Sequence, residues 1–275
     1  MANSLLGVLE IVTRTDPGLV RGQNEDAVVA DANQGLAVLA DGMGGYNAGE
    51  VASSMATKLL HAGLAAALQG TPGHQRDRRT GLPFAWRCLV EQIAAANAAI
   101  YRASETQSQL GGMGTTLVAV VFCDNTMIVA HVGDSRLYRL RGSKFVAMTR
   151  DHSLLQEQID SGLISVEDAR YAANRNLVTR AVGVDPEVEP EVHIHDVRPG
   201  DVYLLCSDGL YDLVDEREMQ RTLERHDDLD NAAQHLIEMA NDLGGDDNIS
   251  VIVIKVLRRF PAAGGVWERL RSWFK

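Results

Sequence analysis

The stretch Leu36-Ala37-Val38-Leu39-Ala40-Asp41-Gly42-Met43-Gly44-Gly45 decides how the rest of the chain is read. Its apolar run predicts a buried strand, and the glycines that follow permit positive φ and close approach of other backbone. Asp41 therefore stands where a buried strand gives way to bare backbone. A carboxylate there is costly unless it is paired, hydrogen-bonded or bound to a metal. Taken alone, it has a plainer reading as a turn residue capping the helix expected near Asn47. Two phosphate-binding loops are excluded by spacing. Gly42-x-Gly44-x-x-Asn47 lacks the third glycine of the dinucleotide fingerprint, and a negative charge at 41 repels a pyrophosphate. The Gly-Lys-Ser/Thr of a nucleotide loop is absent.

The same arrangement recurs along the chain. Gly7 to Arg14 alternates like a strand and meets a turn at Thr15 to Gly18; Glu25 and Asp26 then precede the apolar Ala27 to Ala30. Helices are expected over 47–69 and 84–106, with a loop over 71–83. A β-rich block follows, with strands at 117–123, 126–132, 136–140 and 145–148, and Asp134 sits in the turn after the second of them. Residues 151–180 are polar and mixed and are expected to form a loop-rich flap. The strand 202–206 runs into Ser207-Asp208-Gly209, helices fit 215–225 and 229–243, and Asp246-Asp247-Asn248 opens a last strand over 249–257.

With 275 residues the chain can bury a large core. A net charge of −11 argues against a nucleic-acid-binding surface, so a phosphorylated partner must be met by a local positive centre, which metal ions could supply. Cys88, Cys123 and Cys206 lie in apolar contexts without C-x-x-C spacing, as expected in the reducing cytoplasm. No cysteine is followed six residues on by arginine, which excludes a cysteine-nucleophile phosphatase loop. No apolar run approaches a membrane span. Composition shifts once, at residue 258: five cationic residues against Glu268 give the last eighteen residues +4, leaving −15 for 1–257. The expected organisation is one domain over 1–257 and a basic, aromatic tail over 258–275.

Carboxylates at several strand ends would repel one another if those ends met, and hard divalent cations are their natural counter-charge. The absence of a His/Cys ligand cluster favours Mg²⁺ or Mn²⁺ over Zn²⁺. Seven short motifs then occur in order: Arg21-x-x-Asn24-Glu25-Asp26, Asp41-Gly42-Met43-Gly44-Gly45, Gly114-Thr115-Thr116, Gly133-Asp134-Ser135-Arg136, Asp151-His152-Ser153, Ser207-Asp208-Gly209 and Asp247-Asn248-Ile249-Ser250. In this series the chain resembles the metal-dependent PPM, or PP2C, protein phosphatases, and their bacterial branch most.

The resemblance implies an α+β fold, an α-β-β-α sandwich of two antiparallel sheets flanked by helix pairs. It implies a catalytic set of Arg21, Asp41, Asp208 and Asp247. Asp41 would bridge two Mn²⁺ or Mg²⁺ ions; the Gly42 carbonyl and Glu25, through water, would hold one, and Asp208 and Asp247 the other. Asp26 would belong to the surrounding shell, Asp134 with Asp208 would form a third, weaker metal site, and Arg21 would grip the substrate phosphate. The implied reaction is hydrolysis of phosphoserine and phosphothreonine in proteins by a metal-activated water, opposing a bacterial Ser/Thr kinase. Met43 stands where animal members carry histidine, which resembles bacterial members and leaves His131 and His152 as the nearest candidates for a general acid, each with a structural role as the rival.

Two competing functions are weighed. One is a catalytically weak member of the same fold that only binds phosphoproteins. The other is an aspartyl-nucleophile enzyme built on Asp228-Leu229-Asp230, which opens a helix after a charged stretch instead of ending an apolar strand. In the tail, Val266, Trp267, Leu270, Trp273 and Phe274 could share a helical face beside Arg269, Arg271 and Lys275, as in a short helix docking on a membrane surface or a protein.

Overall fold

The computed structural model describes residues 5, 7–45, 47–165, 168 and 177–260. The strands are β1 (Leu9–Asp16), β2 (Asp26–Asp31), β3 (Leu36–Met43), β4 (Gly114–Thr115), β5 (Leu117–Cys123), β6 (Thr126–Val132), β7 (Arg136–Arg141), β8 (Lys144–Ala147), β9 (Glu191–Asp196), β10 (Val202–Cys206) and β11 (Ile249–Val256). The helices are α1 (Ala48–Gly70), α2 (Phe84–Thr106), α3 (Leu154–Asp160), α4 (Asp208–Tyr211), α5 (Glu216–Arg225) and α6 (Leu229–Asp242).

One sheet runs β1-β11-β10-β7-β8 and the other β2-β3-β5-β6-β9, with β4 paired to β3; every pairing is antiparallel. Side chains alternate across a strand, and β3 shows what this does to the layers. Leu36, Val38 and Ala40 turn outward to Leu60 and Leu64 of α1 and Leu89 and Ile93 of α2. Ala37 and Leu39 turn inward, to a core where Val118, Val120 and Phe122 of one sheet meet Tyr203, Leu205, Ile252 and Ile254 of the other. On the far side Leu204, Val251 and Val253 pack under Met219 of α5 and Leu236 of α6. The result is the expected four-layer α-β-β-α sandwich, and strands covered on both faces account for their unbroken apolar runs.

Several expectations move. The first strand is Leu9–Asp16, two residues later than the alternation of 7–14 indicates, because Thr15 and Asp16 find ladder partners in Ser250 and Ile249. The edge strand β9 was not expected at all; its side chains are half-buried or exposed, and β6 alone supplies its pairing. Helix α1 is long and apolar enough by length and composition to cross a membrane, with a mean hydropathy of 1.2. Here that apolarity serves packing: Ala52, Ala56, Leu60 and Leu64 are buried against β3 and α2. The packed domain also extends past residue 257, since Phe260 is 5% exposed and stacks on Phe122 at 6.4 Å. The flap contains α3, capped by Ser153 accepting from the Gln156 N–H. The aromatic face expected at Val266–Phe274 lies outside the described residues.

Candidate metal centre

In an antiparallel sheet the end of one strand abuts the start of its neighbour, so acids placed at such ends gather at one edge. Asp26, first in β2, is the direct cross-strand partner of Asp41, near the end of β3. Asp208 lies just beyond β10 and Asp247 just before β11, which pair with each other in the second sheet. Asp134 follows β6. The two sheet edges converge: the Asp41 carboxyl feels Asp26, Asp134 and Asp247 and comes within hydrogen-bonding reach of Asp208. All six predicted acids are therefore at one end of the sandwich, with Glu25 acted on by Asp247. Arg21 is at the exposed rim, where its Nη2 donates to Asp247 Oδ2 at 2.7 Å.

The electrostatics of this cluster are those of a site lacking positive charge. Burial, then the charges of Asp26, Asp134 and Asp247, push the Asp41 carboxyl well above the usual carboxylate range. Burial and Asp41 do the same to Asp208. Asp26 is pushed up to about 7, chiefly by burial, although hydrogen bonds from Ser250 and Ser207 oppose the shift. Asp134 rises to about 6 through burial and the neighbouring Asp151, and burial also raises Glu25. Three buried carboxylate oxygens, Glu25 Oε1, Asp26 Oδ1 and Asp208 Oδ1, have no hydrogen-bond partner among the described residues. Buried carboxylate oxygens without partners are costly, and a donor set made of oxygen alone suits hard divalent cations. The residues present thus fit Mn²⁺ or Mg²⁺.

Backbone and hydroxyl contacts hold the acids in place. Thr116 N–H and Thr115 Oγ1 both donate to the Asp41 carbonyl at 2.8 Å, and the Asp41 N–H donates to Thr116 Oγ1 at 3.1 Å. Thr116 Oγ1 lies 2.7 Å from Ser135 Oγ, which ties Asp41 to the loop carrying Asp134. Ser207 Oγ donates to Asp26 Oδ2 at 2.8 Å, joining the two sheets. Gly42 must be glycine: a Cβ there would overlap the Gly49 carbonyl and lie 2.6 Å from the Glu25 carbonyl oxygen.

Asn248 carries a role that sequence reasoning missed. Its Oδ1 accepts from the Glu25 N–H at 2.7 Å, while Nδ2 donates to the carbonyls of Pro17 at 3.0 Å and Gln23 at 2.9 Å. One side chain thereby fastens the segment bearing Arg21 and Glu25 to the segment bearing Asp247. Its only signal in sequence is its place after Asp247 at the mouth of a strand.

The two histidines considered as acids sit together elsewhere. Their rings stack at 4.7 Å; His131 Nε2 donates to the Arg150 carbonyl at 2.8 Å, and burial lowers its pKa. His152 brackets Gly133, donating its N–H to the Gly133 carbonyl at 3.0 Å and accepting the Gly133 N–H on Nδ1 at 3.2 Å. Its carbonyl accepts from Thr179 N–H at 2.8 Å, so it orients the flap. Burial, then His131 and Arg180, depress its pKa to about 4, which leaves it neutral and a poor acid at pH 7. These rings and Glu191 place possible ligand atoms within 4.8 Å of one another. A cation there would meet the Arg180 guanidinium, 3.4 Å from His152 Nε2, and would have to displace the Nε2 proton that the Gly133 contact fixes. The group closes on itself through Glu191, whose Oε2 is 3.5 Å from His152 Nε2. Asp228, the start of the competing D-x-D, caps α6 by accepting from the N–H groups of Asp230 and Asn231.

Comparison with known proteins agrees with this geometry. The model of the family described as protein phosphatase 2C matches residues 21–245. A serine/threonine phosphatase of Listeria monocytogenes, stp, is 38% identical over 245 residues, 88% of this chain and 94% of that protein. The serine/threonine protein phosphatase PstP of Mycobacterium tuberculosis is 41% identical over 250 residues, 91% of this chain but 45% of that longer protein. The crystal structure of a PstP catalytic domain in complex with two manganese ions superposes with a TM-score of 0.78 at 39% identity, covering 91% of this chain and 99% of that one. A motif series in the right order, a four-layer sandwich, a converged set of acids and a match over most of the length lead to one statement: the chain belongs to the protein phosphatase 2C family.

Proposed function

We propose that this chain is a metal-dependent protein serine/threonine phosphatase in which Asp41, Asp208 and Asp247, with Glu25 and the Gly42 carbonyl, hold two divalent cations. The observation that carries the proposal is the converged acid cluster with three orphaned buried oxygens, a demand for positive charge that one arginine at the rim, Arg21, paired with Asp247, does not balance. Such cations supply charge to offset the phosphoryl oxygens and acidify a water for in-line attack on phosphorus. Asp41 serves both sheets' acids because it lies where their edges meet. Asp26 orients the cluster from behind through Ser207. Asp134, next to Asp208, offers a third and weaker position. Arg21, half-exposed at the rim, can exchange Asp247 for a phosphate oxygen, since a guanidinium binds both in the same bidentate fashion.

The substrates we propose are phosphoproteins modified by a Ser/Thr kinase in the same cytoplasm; the three unbridged cysteines suit that compartment. The basic tail from residue 258 onward would serve as a docking element. The test is hydrolysis of p-nitrophenyl phosphate and of phosphoserine peptides with Mn²⁺ or Mg²⁺, with and without EDTA. Asp41→Asn and Asp208→Asn should each abolish turnover while circular dichroism stays native. Full activity in excess EDTA would refute the metal reading. Phosphopeptide binding without turnover under any metal would favour the binding module instead.

A further inference from the structure

The loop between α1 and α2 forms a second site, far from the acid cluster. A cleft of about 360 Å³ opens there, with Arg76, Asp77, Arg79, Arg87, Phe84 and Trp86 among the residues that line it. Between residues 74 and 87 four arginines face a single acid, Asp77, in a chain whose net charge is −11. The loop is built: Phe84 N–H donates to the Gln75 carbonyl at 2.7 Å, Asp77 N–H to the Leu82 carbonyl at 2.9 Å, and Arg76 Nη1 to the Gly81 carbonyl at 2.8 Å. Asp77 is exposed and also lines the cleft; its carboxylate accepts from the N–H groups of Arg79 at 2.8 Å and Thr80 at 2.9 Å, which holds the turn, and it offsets one of the three arginine charges there, so the lining keeps a positive excess. The Arg79 side chain makes no hydrogen bond or salt bridge among the described residues, and Arg87 lies over the Phe84 ring at 5.1 Å with a loose 3.6 Å contact to Glu91.

This cleft cannot be part of the catalytic centre. Helix α1 starts beside Gly42 and runs 23 residues before the loop begins, a separation of about 34 Å at 1.5 Å per residue. Massing arginines costs self-repulsion, and aromatic rings lining the same cleft suit a ligand with both anionic and apolar parts. A long polyanion such as a nucleic acid would also run over the acidic remainder of the surface, whereas a short acidic segment would not. Residues 261–275, with three cationic residues against Glu268, are repelled by the cleft and are no candidate to fill it.

We infer that the Arg76–Arg79–Arg87 cleft docks an acidic, aromatic-containing peptide segment of the phosphoprotein substrate, distant from its phosphorylated residue. The inference rests on the proposed phosphatase activity for the identity of the partner, but docking is measured without turnover. The probe is a fluorescein-labelled peptide of Glu and Asp with one central Tyr, followed by anisotropy. Binding should weaken steeply between about 20 mM and about 300 mM salt, as expected when the Debye length falls below the contact range. The double variant Arg76→Glu/Arg79→Glu should lose about tenfold or more in affinity and keep wild-type p-nitrophenyl phosphate hydrolysis. A phosphoserine peptide extended by such an acidic segment, with about ten or more residues between to span the distance, should show a raised KM and unchanged kcat in the variant. If wild type and variant bind the probe equally, if no binding occurs at low salt, or if a short oligonucleotide binds more tightly than the peptide, the inference is overturned. Loss of p-nitrophenyl phosphate hydrolysis in the wild type would instead strike the catalytic reading and leave the anisotropy result standing.

Discussion

Replacing Asn248 by alanine should loosen the substrate side of the centre without touching a carboxylate. The side chain is 6% exposed and makes three hydrogen bonds, to the Glu25 N–H and to the Pro17 and Gln23 carbonyls. Each lost bond costs about 1 kcal/mol net, and up to about 3 if the orphaned partner stays dry. Residues 21 to 23 are exposed, so water should re-solvate part of this segment. That places the total near the lower bound, about 2–4 kcal/mol, or a Tm lower by roughly 5–12 °C for a domain of this size. The functional effect should exceed the stability effect, because the freed segment carries Arg21 and Glu25. We expect the Mn²⁺ concentration for half-maximal p-nitrophenyl phosphate hydrolysis to rise, and KM with it, at temperatures well below Tm. Asn248→Asp keeps the acceptor for Glu25 but turns a carboxylate oxygen toward two carbonyls and adds charge beside Asp247, so it should be the more damaging of the two. A Tm and a Mn²⁺ dependence both unchanged in Asn248→Ala would refute the clamp.

Metal-free protein should lose stability as pH rises. A carboxyl whose pKa is higher in the fold than in the unfolded chain contributes stability below the unfolded value near 4, which is lost as pH rises through the folded values, about 6 for Asp134 and about 7 for Asp26. Differential scanning fluorimetry in EDTA should therefore show Tm falling between pH 5 and 7.5 by roughly several degrees, with Mn²⁺ removing the fall; a rise over that window would contradict it. Gly42→Ala should cost about 3 kcal/mol or more and abolish activity, because its Cβ meets backbone at Gly49 and Glu25 that cannot rotate away; a chemical-denaturation midpoint within error of wild type would show that the two segments can part. Phe260→Ala should cost about 3–4 kcal/mol, since its ring stacks on Phe122 in the inter-sheet core, whereas a chain ending at Phe260 should keep wild-type hydrolysis of p-nitrophenyl phosphate. Equal stability of Phe260→Ala and wild type would return the boundary to residue 257.

Sequence alone determined the elements whose neighbours are encoded locally. The run Leu36 to Ala40 declares a strand buried on both faces, the glycines after Asp41 declare the turn, α1 is legible in its alanine-rich run with leucines at helical spacing, and α2 in the recurrence of Leu89, Ile93, Ala96 and Ile100. The acids were legible as a set and not one by one: each stands at the end of an apolar run, where singly it reads as a turn residue or cap, and only the ordered series of motifs marked them as a group. What the sequence could not reveal depends on partners far along the chain. Strand β9 is Glu-Val-His-Ile-His-Asp, which alternates polar and apolar but offers only Val192 and Ile194 as apolar positions, too short a pattern to stand out until β6 supplies its pairing. The two-residue β4 is too short to carry a strand pattern, yet it seats Thr115, which with the following Thr116 grips Asp41. Asn248 resembles any turn asparagine until Pro17, Gln23 and Glu25 arrive from more than two hundred residues away. The raised pKa values follow the same rule: a carboxylate's residue type is local, but the burial and the neighbouring charges that set its proton affinity exist only once two sheet edges have been packed together.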